Sequence, residues 1–456
     1  MMYRFSKQLS QVSLAIILLF PVTVNSQQRT PAGRAEQPYE KGVQLLEKGD
    51  LDGAINAFKE AISLRPKEAK AHYYLGYALG VKGQLADATV ELQKAISLNP
   101  ELGDAYYYLG AARWFSNDVD GAIAALRDAV RLMPQHANAH YYLGLSLQKN
   151  GDLDEAIEDF RAAIKLQPNM LAAYNDLGLA LMQKRDADGA IAAFNEAIKL
   201  DPSNMVAQLN LGMVLIQKAD YAAAVDQYRR IIAQAPDSAE AHYNLGLALK
   251  QKDQFADAEV ELRKAIDLQP RLHEAHYMLG VLLTQQSKFE DAAAALKRAT
   301  EVKPDYPEAH FALGTVMQQQ GNFAGAVAAL RQALVYAPNA PEIHNALGTA
   351  LRQTGDIESA RLEFQEAARL NKIKSNQQAA MFATNTGLAK LKEGKLDEAI
   401  ETFQRAVELD PTNAQAYYNL AKALTKKGQM SAARVAEQKA RELEATKKHK
   451  QDTKNY

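Results

Sequence analysis

The 456-residue chain contains no cysteine. That absence excludes disulfides, iron–sulfur clusters, thiolate zinc sites and thiol catalysis. Charge of one sign is missing too: 53 Lys and Arg stand against 54 Asp and Glu, a formal net charge of −1. A balance so close to neutral gives no field to hold nucleic acid by counterion release. Tryptophan occurs once, at Trp114, and no Asn-x-Ser/Thr glycosylation acceptor occurs. There is no phosphate-cradling glycine loop, nucleophile elbow or His-Glu-x-x-His motif. With the missing thiols, this leaves no cofactor, no resident metal and no catalytic constellation to expect.

Long hydrophobic runs are also absent, except at the start. Arg4 and Lys7 precede the apolar run Val12–Phe20, and Val24-Asn25-Ser26 supplies residues suited to a cut before Gln27. This is the pattern of a secretory signal peptide over residues 1–26. The run of about 13 largely apolar residues is too short for a membrane span, which needs roughly 20. The expectation is a secreted or periplasmic protein with no membrane span after cleavage. No cysteine follows to carry a lipid, and the lack of both cysteine and glycosylation acceptors favours a bacterial envelope.

What is present is a period. Pro66, Pro100, Pro134, Pro168, Pro202, Pro236, Pro270, Pro304 and Pro338 each stand 34 residues apart. When positions are counted as phases from the third residue after each proline, phase eight is glycine from Gly42 to Gly387, and Ala421 in the last unit. Phase twenty is alanine in every unit, from Ala54 to Ala433, and phase twenty-seven is alanine everywhere except Ile231. Each unit holds two runs with apolar residues at i, i+3, i+4 and i+7, the signature of two amphipathic helices. Small residues let the paired backbones approach closely. Proline ends the second helix, because it lacks the amide proton and disfavours helix for the residue before it.

The run His140-Tyr141-Tyr142-Leu143-Gly144, followed by Ala156, Phe160, Ala163 and Pro168, resembles the tetratricopeptide repeat. The resemblance extends over residues 35–447, as about twelve units. It implies an all-α solenoid, a right-handed superhelix of helix–turn–helix repeats whose concave groove binds peptides or other proteins. The expected organisation is a signal peptide at 1–26 and a leader at 27–34. Repeats one to ten follow over 35–374, then an insertion at 375–379. Repeats eleven and twelve with a capping helix fill 380–447, and a basic tail runs over 448–456. The insertion arises because Lys372 replaces the proline and the next unit starts five residues late, with no Gly or Pro in 371–379. Either helix B of repeat ten is prolonged there or the array changes direction.

Six histidines share phase four: His72, His140, His242, His276, His310 and His344. Equivalent atoms of stacked helices lie roughly 8–10 Å apart, whereas zinc–nitrogen bonds are about 2 Å. Neighbouring rungs are therefore read as half-polar packing residues, not a shared metal site. The pairs His273/His276 and His136/His140 are read the same way. Aromatics carry the stronger signal. Phases two, five, nine and twelve of helix A form a stripe turned about 120° from the buried one, and in the family this stripe lines the groove. Phase five is Tyr39, Tyr73, Tyr107, Tyr141, Tyr243 and Tyr277 among others; phase six adds Tyr74, Tyr108 and Tyr142; Tyr77 and Trp114 join at phases nine and twelve. Tyr73, Tyr77, Tyr107, Trp114 and Tyr141 are taken as the partner-binding groove, since Tyr and Trp give large contact area at low entropy cost. Packing between adjacent A helices is the competing role for phase five. The carboxylate clamp of some family members is not matched here, because no Asn occupies phase nine.

Two function classes follow. The first is a non-catalytic scaffold of the bacterial envelope that binds an extended segment of a protein or peptide partner. The second is a glycosyltransferase-associated or polysaccharide-binding protein. The array fills the sequence to about 447, which leaves no room in it for a catalytic domain.

Overall fold

The computed structural model describes residues 36–452, with side chains over 37–446. The expected signal peptide at 1–26 and leader at 27–34 lie outside the described residues. Within them are 23 α-helices and no strand. The 34-residue unit resolves as two helices, for example Ala69–Val81 (helix A) and Leu85–Leu98 (helix B).

The turn between helices A and B is built the same way in every repeat. Phase fifteen is left-handed throughout. Gly49, Gly83, Gly151, Gly321, Gly355, Gly394 and Gly428 supply it in seven repeats, and Asn117, Arg185, Ala219, Asp253 and Ser287 in five. The next residue often caps helix B. The Asp118 carboxylate accepts from the Gly121 amide at 3.1 Å, and Asp186 accepts from Gly189 at 3.0 Å. Such caps contribute about 1 kcal/mol each.

The phase-eight glycine has a specific opponent. A Cβ on Gly144 would stand 2.8 Å from the Phe160 ring, and one on Gly110 would stand 2.4 Å from Leu126. Phase twenty-four, the opponent, is wholly buried in Phe58, Phe160, Phe194, Tyr228 and Phe403. Each large side chain thus sits on the bare backbone of its own helix A. In the last repeat both partners change together: alanine stands at 421 and Glu437 replaces the bulky residue.

The chain divides after Asp253 into two compact bodies. In each, helix B of a repeat packs on helix A of the same repeat and on helix A of the next. The second body holds the one departure. Ile357–Lys392 is a single helix of 36 residues, about 54 Å long at 1.5 Å per residue. It joins helix B of repeat ten to helix A of repeat eleven, so the prolonged-helix alternative describes residues 371–379. The cause is local. Nothing in that stretch breaks a helix. The regular contact of phase-twenty-seven alanine with phase-three alanine, seen at Ala163 and Ala173, is also lost, because phase three of repeat eleven is Phe382, 74% exposed.

Candidate binding face

Phase four explains itself first. Nε2 of His72, His140, His242, His276, His310 and His344 bonds the carbonyl of the proline six residues before it, at 2.8–3.3 Å. In repeat six Gln208 Nε2 donates to the Pro202 carbonyl at 2.6 Å and does the same work. In repeats two, four and ten, for example, Nδ1 also meets a carboxylate of helix B: His72–Glu91 at 2.6 Å, His140–Asp159 at 2.7 Å and His344–Glu363 at 2.6 Å. These residues pin the proline turn to both helices of a repeat. The Asp159 hydrogen bond raises the pKa of His140. His136 has the opposite demand. Its Nδ1 accepts the Ala139 amide at 3.0 Å as the helix cap, and its ring lies 4.7 Å from Tyr107. Burial lowers its pKa.

The five aromatics singled out in the sequence are brought into one chain of rings through two others, Tyr108 and Tyr142. Tyr73 and Tyr77 lie 6.0 and 4.9 Å from Tyr108, and Tyr107 lies 4.9 Å from it. Tyr142 then meets Tyr107 and Trp114 at 6.1 Å and Tyr141 at 5.4 Å. Burial differs sharply along the chain. Tyr73 and Tyr77 are 7% and 8% exposed and Tyr107 only 2%, while Trp114 and Tyr141 are partly exposed. Tyr73 and Tyr107 point between A helices, where Tyr108 and Tyr142 of the following repeat close over them. Burial raises the pKa of both well above the usual phenol value. A small apolar cleft lined by Tyr77, Gly80, Leu85, Tyr108 and Phe115 opens beside this base.

Tyr141 departs from the pattern because phase six of repeat five is an acid. Its hydroxyl donates to Asp176 Oδ2 at 2.7 Å. Burial pushes the Asp176 carboxyl up to about 6. The neighbouring Asn175 Oδ1 is buried with no donor, and the Trp114 indole nitrogen is buried with no acceptor. Lys149 lies 5.8 Å over the Trp114 ring. Further along the same body Glu240, at phase two, is pushed up to about 7 by burial. Partly exposed Leu145, Leu179 and Met213 occupy phase nine of repeats four to six. The sequence reading passed over Asp176 and Asn175. The available signal was an acid at a phase that neighbouring repeats fill with Tyr or Asn.

No group of three or more His, Cys, Asp or Glu side chains placed to hold a metal ion occurs among the described residues. What the face offers is a packed aromatic base, an apolar strip and underused hydrogen-bonding groups. Such an assembly suits recognition of another chain and places the protein among helical-repeat interaction scaffolds. Models of the tetratricopeptide repeat match residues 42–80, 79–137, 107–169, 141–204, 181–247, 239–272, 280–321, 311–376, 387–428 and 414–446. The chain belongs to the tetratricopeptide repeat family. No curated protein matches it. Among solved structures it is similar to MamA, at 34% identity over 35% of this chain and 94% of that one, with a TM-score of 0.34. It is also similar to YrrB, described as a TPR protein with an unusual peptide-binding site, at 26% identity over 38% of this chain and 89% of that one, with a TM-score of 0.36. A tetratricopeptide repeat protein from Parabacteroides merdae is 16% identical over 62% of this chain and all of that one, with a TM-score of 0.41.

Proposed function

We propose that the protein is a non-catalytic scaffold of the bacterial envelope that binds an extended segment of a partner protein along the helix-A stripe of its first body. The observation that carries this reading is the continuous chain of rings from Tyr73 and Tyr77 through Tyr107 to Trp114 and Tyr141, with the last two partly exposed at its end. Tyr73, Tyr77 and Tyr107 form the rigid base of the surface, and Trp114 and Tyr141 present it. A rigid aromatic anchor loses little side-chain entropy on binding. The envelope location rests on the basic n-region and apolar run of residues 1–26.

The test uses protein recovered from the periplasmic fraction of its own bacterium. It should begin near Gln27. Its Trp114→Ala variant should lose partner binding by about 2 kcal/mol or more, as a central anchor does, while its melting temperature hardly moves. An intact Met1 on cytoplasmic protein defeats the compartment. Normal binding with an early melt makes Trp114 a packing residue and defeats the surface.

A further inference from the structure

Asp176 is an acid on this face held by one hydrogen bond and met by no cation. Its Oδ2 accepts the Tyr141 hydroxyl at 2.7 Å, and no Lys or Arg among the described residues forms an ion pair with it. Lys149 Nζ, over the Trp114 ring, bonds Asn117 Oδ1, and Lys184, at the end of the helix that carries Asp176, pairs with Asp154. Next to Asp176 in sequence, Asn175 turns a second acceptor inward, with Oδ1 buried and without a donor. A buried acceptor without a donor is destabilising, and a carboxylate taken out of water is more so unless a cation meets it. Burial holds the Asp176 carboxyl up to about 6, so the folded chain carries this cost itself. Donors, not acceptors, are what the pair lacks.

The phase also matters. Phase six holds Tyr108 and Tyr142 in the two preceding repeats, where they complete the aromatic chain, and Asn210 and Asn244 in the two that follow. Fold does not ask for an acid there. Partly exposed Leu179 lies three positions on along the same helix, with Leu145 and Met213 at its phase in the repeats on either side.

Resting on the binding face proposed above, we propose that Asp176, with Tyr141 and Asn175, is the receptor for one Lys or Arg side chain of the partner segment, with apolar partner residues on either side. The Tyr141 hydroxyl fixes the carboxylate, the Asp176 charge meets the cation, and Asn175 Oδ1 accepts one of its remaining N–H groups. Charge-assisted bonds of this kind are short and about twice as strong as neutral ones. A hydrophobic segment without a cation would leave both acceptors as they are.

The test selects binders from a random twelve-residue peptide display library on the full chain and on its Asp176→Asn variant, which keeps an acceptor for Tyr141. Peptides selected on the parent protein should share a basic residue between apolar ones, and those selected on Asp176→Asn should not. A synthetic consensus peptide should bind about tenfold or more weakly after Asp176→Asn. Replacing its basic residue by norleucine should cost as much, and the two changes together little more than either. The norleucine arm leaves the protein intact, so the inference stands or falls even if the variant is unstable. Peptides that lose binding on Trp114→Ala but carry no preferred basic residue overturn this inference and leave the binding face standing. A basic consensus indifferent to Asp176→Asn overturns it as well. Failure to select any peptide sensitive to Trp114→Ala overturns the face itself.

Discussion

Repeats two to four and repeats nine to eleven use the same framework for different surfaces. In the first region phases five and six read Tyr73-Tyr74, Tyr107-Tyr108 and Tyr141-Tyr142; in the second they read Phe311-Ala312, Asn345-Ala346 and Thr384-Asn385. Both regions keep glycine at phase eight under a large phase-twenty-four side chain: Gly76, Gly110 and Gly144 in one, Gly314, Gly348 and Gly387 in the other. Helix pairs form equally in both. The tyrosines are therefore not a requirement of the repeat, whereas the glycine and its opponent are. Positions held constant across repeats carry the fold, and positions that change from one repeat to the next are free to carry recognition.

The sharpest way to break that division is at the constant pair. Phe160→Ala should destabilise the protein by about 3–5 kcal/mol, the usual cost of a buried aromatic. Gly144→Ala should cost about 1–3 kcal/mol, because its Cβ would meet the Phe160 ring at 2.8 Å. Denaturant melts of the double variant should show a cost well below the sum, since the alanine at 144 then occupies space the ring has left. Strict additivity would mean that the pair does not set the helix spacing. The last repeat supports the coupling, since alanine at 421 appears together with Glu437.

How much of this was legible in the sequence follows from which contacts span one repeat. The helix pairs, turns and caps depend on residues within 34 positions, and the proline period exposes them. The prolonged helix at 371–379 was legible as one of two alternatives, because the missing proline says that no turn is enforced but not where the chain goes. The face was read less well. Among Tyr73, Tyr107, Tyr141, Tyr277 and Phe311, burial follows phase six of the next repeat. Tyr73 and Tyr107 are closed over by Tyr108 and Tyr142, while Tyr141, Tyr277 and Phe311, followed by Asp176, Ala312 and Ala346, stay partly exposed. That dependence crosses 35 residues and is a matter of register, which a stripe drawn on one helix does not contain. The Tyr141–Asp176 bond was missed for the same reason.

A medium effect sharpens the comparison inside the tyrosine-rich region. His136 serves as a helix cap only while neutral, because Nδ1 must accept the Ala139 amide. Its pKa is lowered by burial, so the unfolded chain takes up the proton first and stability falls as pH drops below about 6.5, the free histidine value. His140, whose pKa is raised mainly by Asp159, acts in the other sense: its contribution is present at low pH and lost as pH rises through the folded value. His136→Asn substitutes the cap used at Asn204 and Asn413. It should leave stability near pH 7.5 almost unchanged and recover up to about 1 kcal/mol at pH 5, the size of one cap. Melting curves at the two pH values decide it. An equal acid loss in variant and parent would move the pH dependence away from this cap.

The smallest expected effect concerns a constant conformation filled by variable residues. Phase fifteen is left-handed at φ +98 in Gly151 and at φ 62 in Ala219. Alanine has no side-chain group to hydrogen-bond locally, and its Cβ in this region costs about 1–2 kcal/mol. Glycine avoids that cost but loses about 0.5–1 kcal/mol through the greater freedom of its unfolded chain. Ala219→Gly should therefore stabilise by about 0.5–1 kcal/mol, the difference of these effects. Gly151→Ala should destabilise by a similar amount, although the space around that glycine is open, with nothing within 4 Å of an added Cβ. Because an added Cβ at Gly151 meets nothing and Ala219 is exposed, the two changes isolate backbone conformation from packing. Opposite shifts of the denaturation midpoint are the expected result. If both variants shift the same way, side-chain surroundings and not the left-handed turn set the stability of the hairpin.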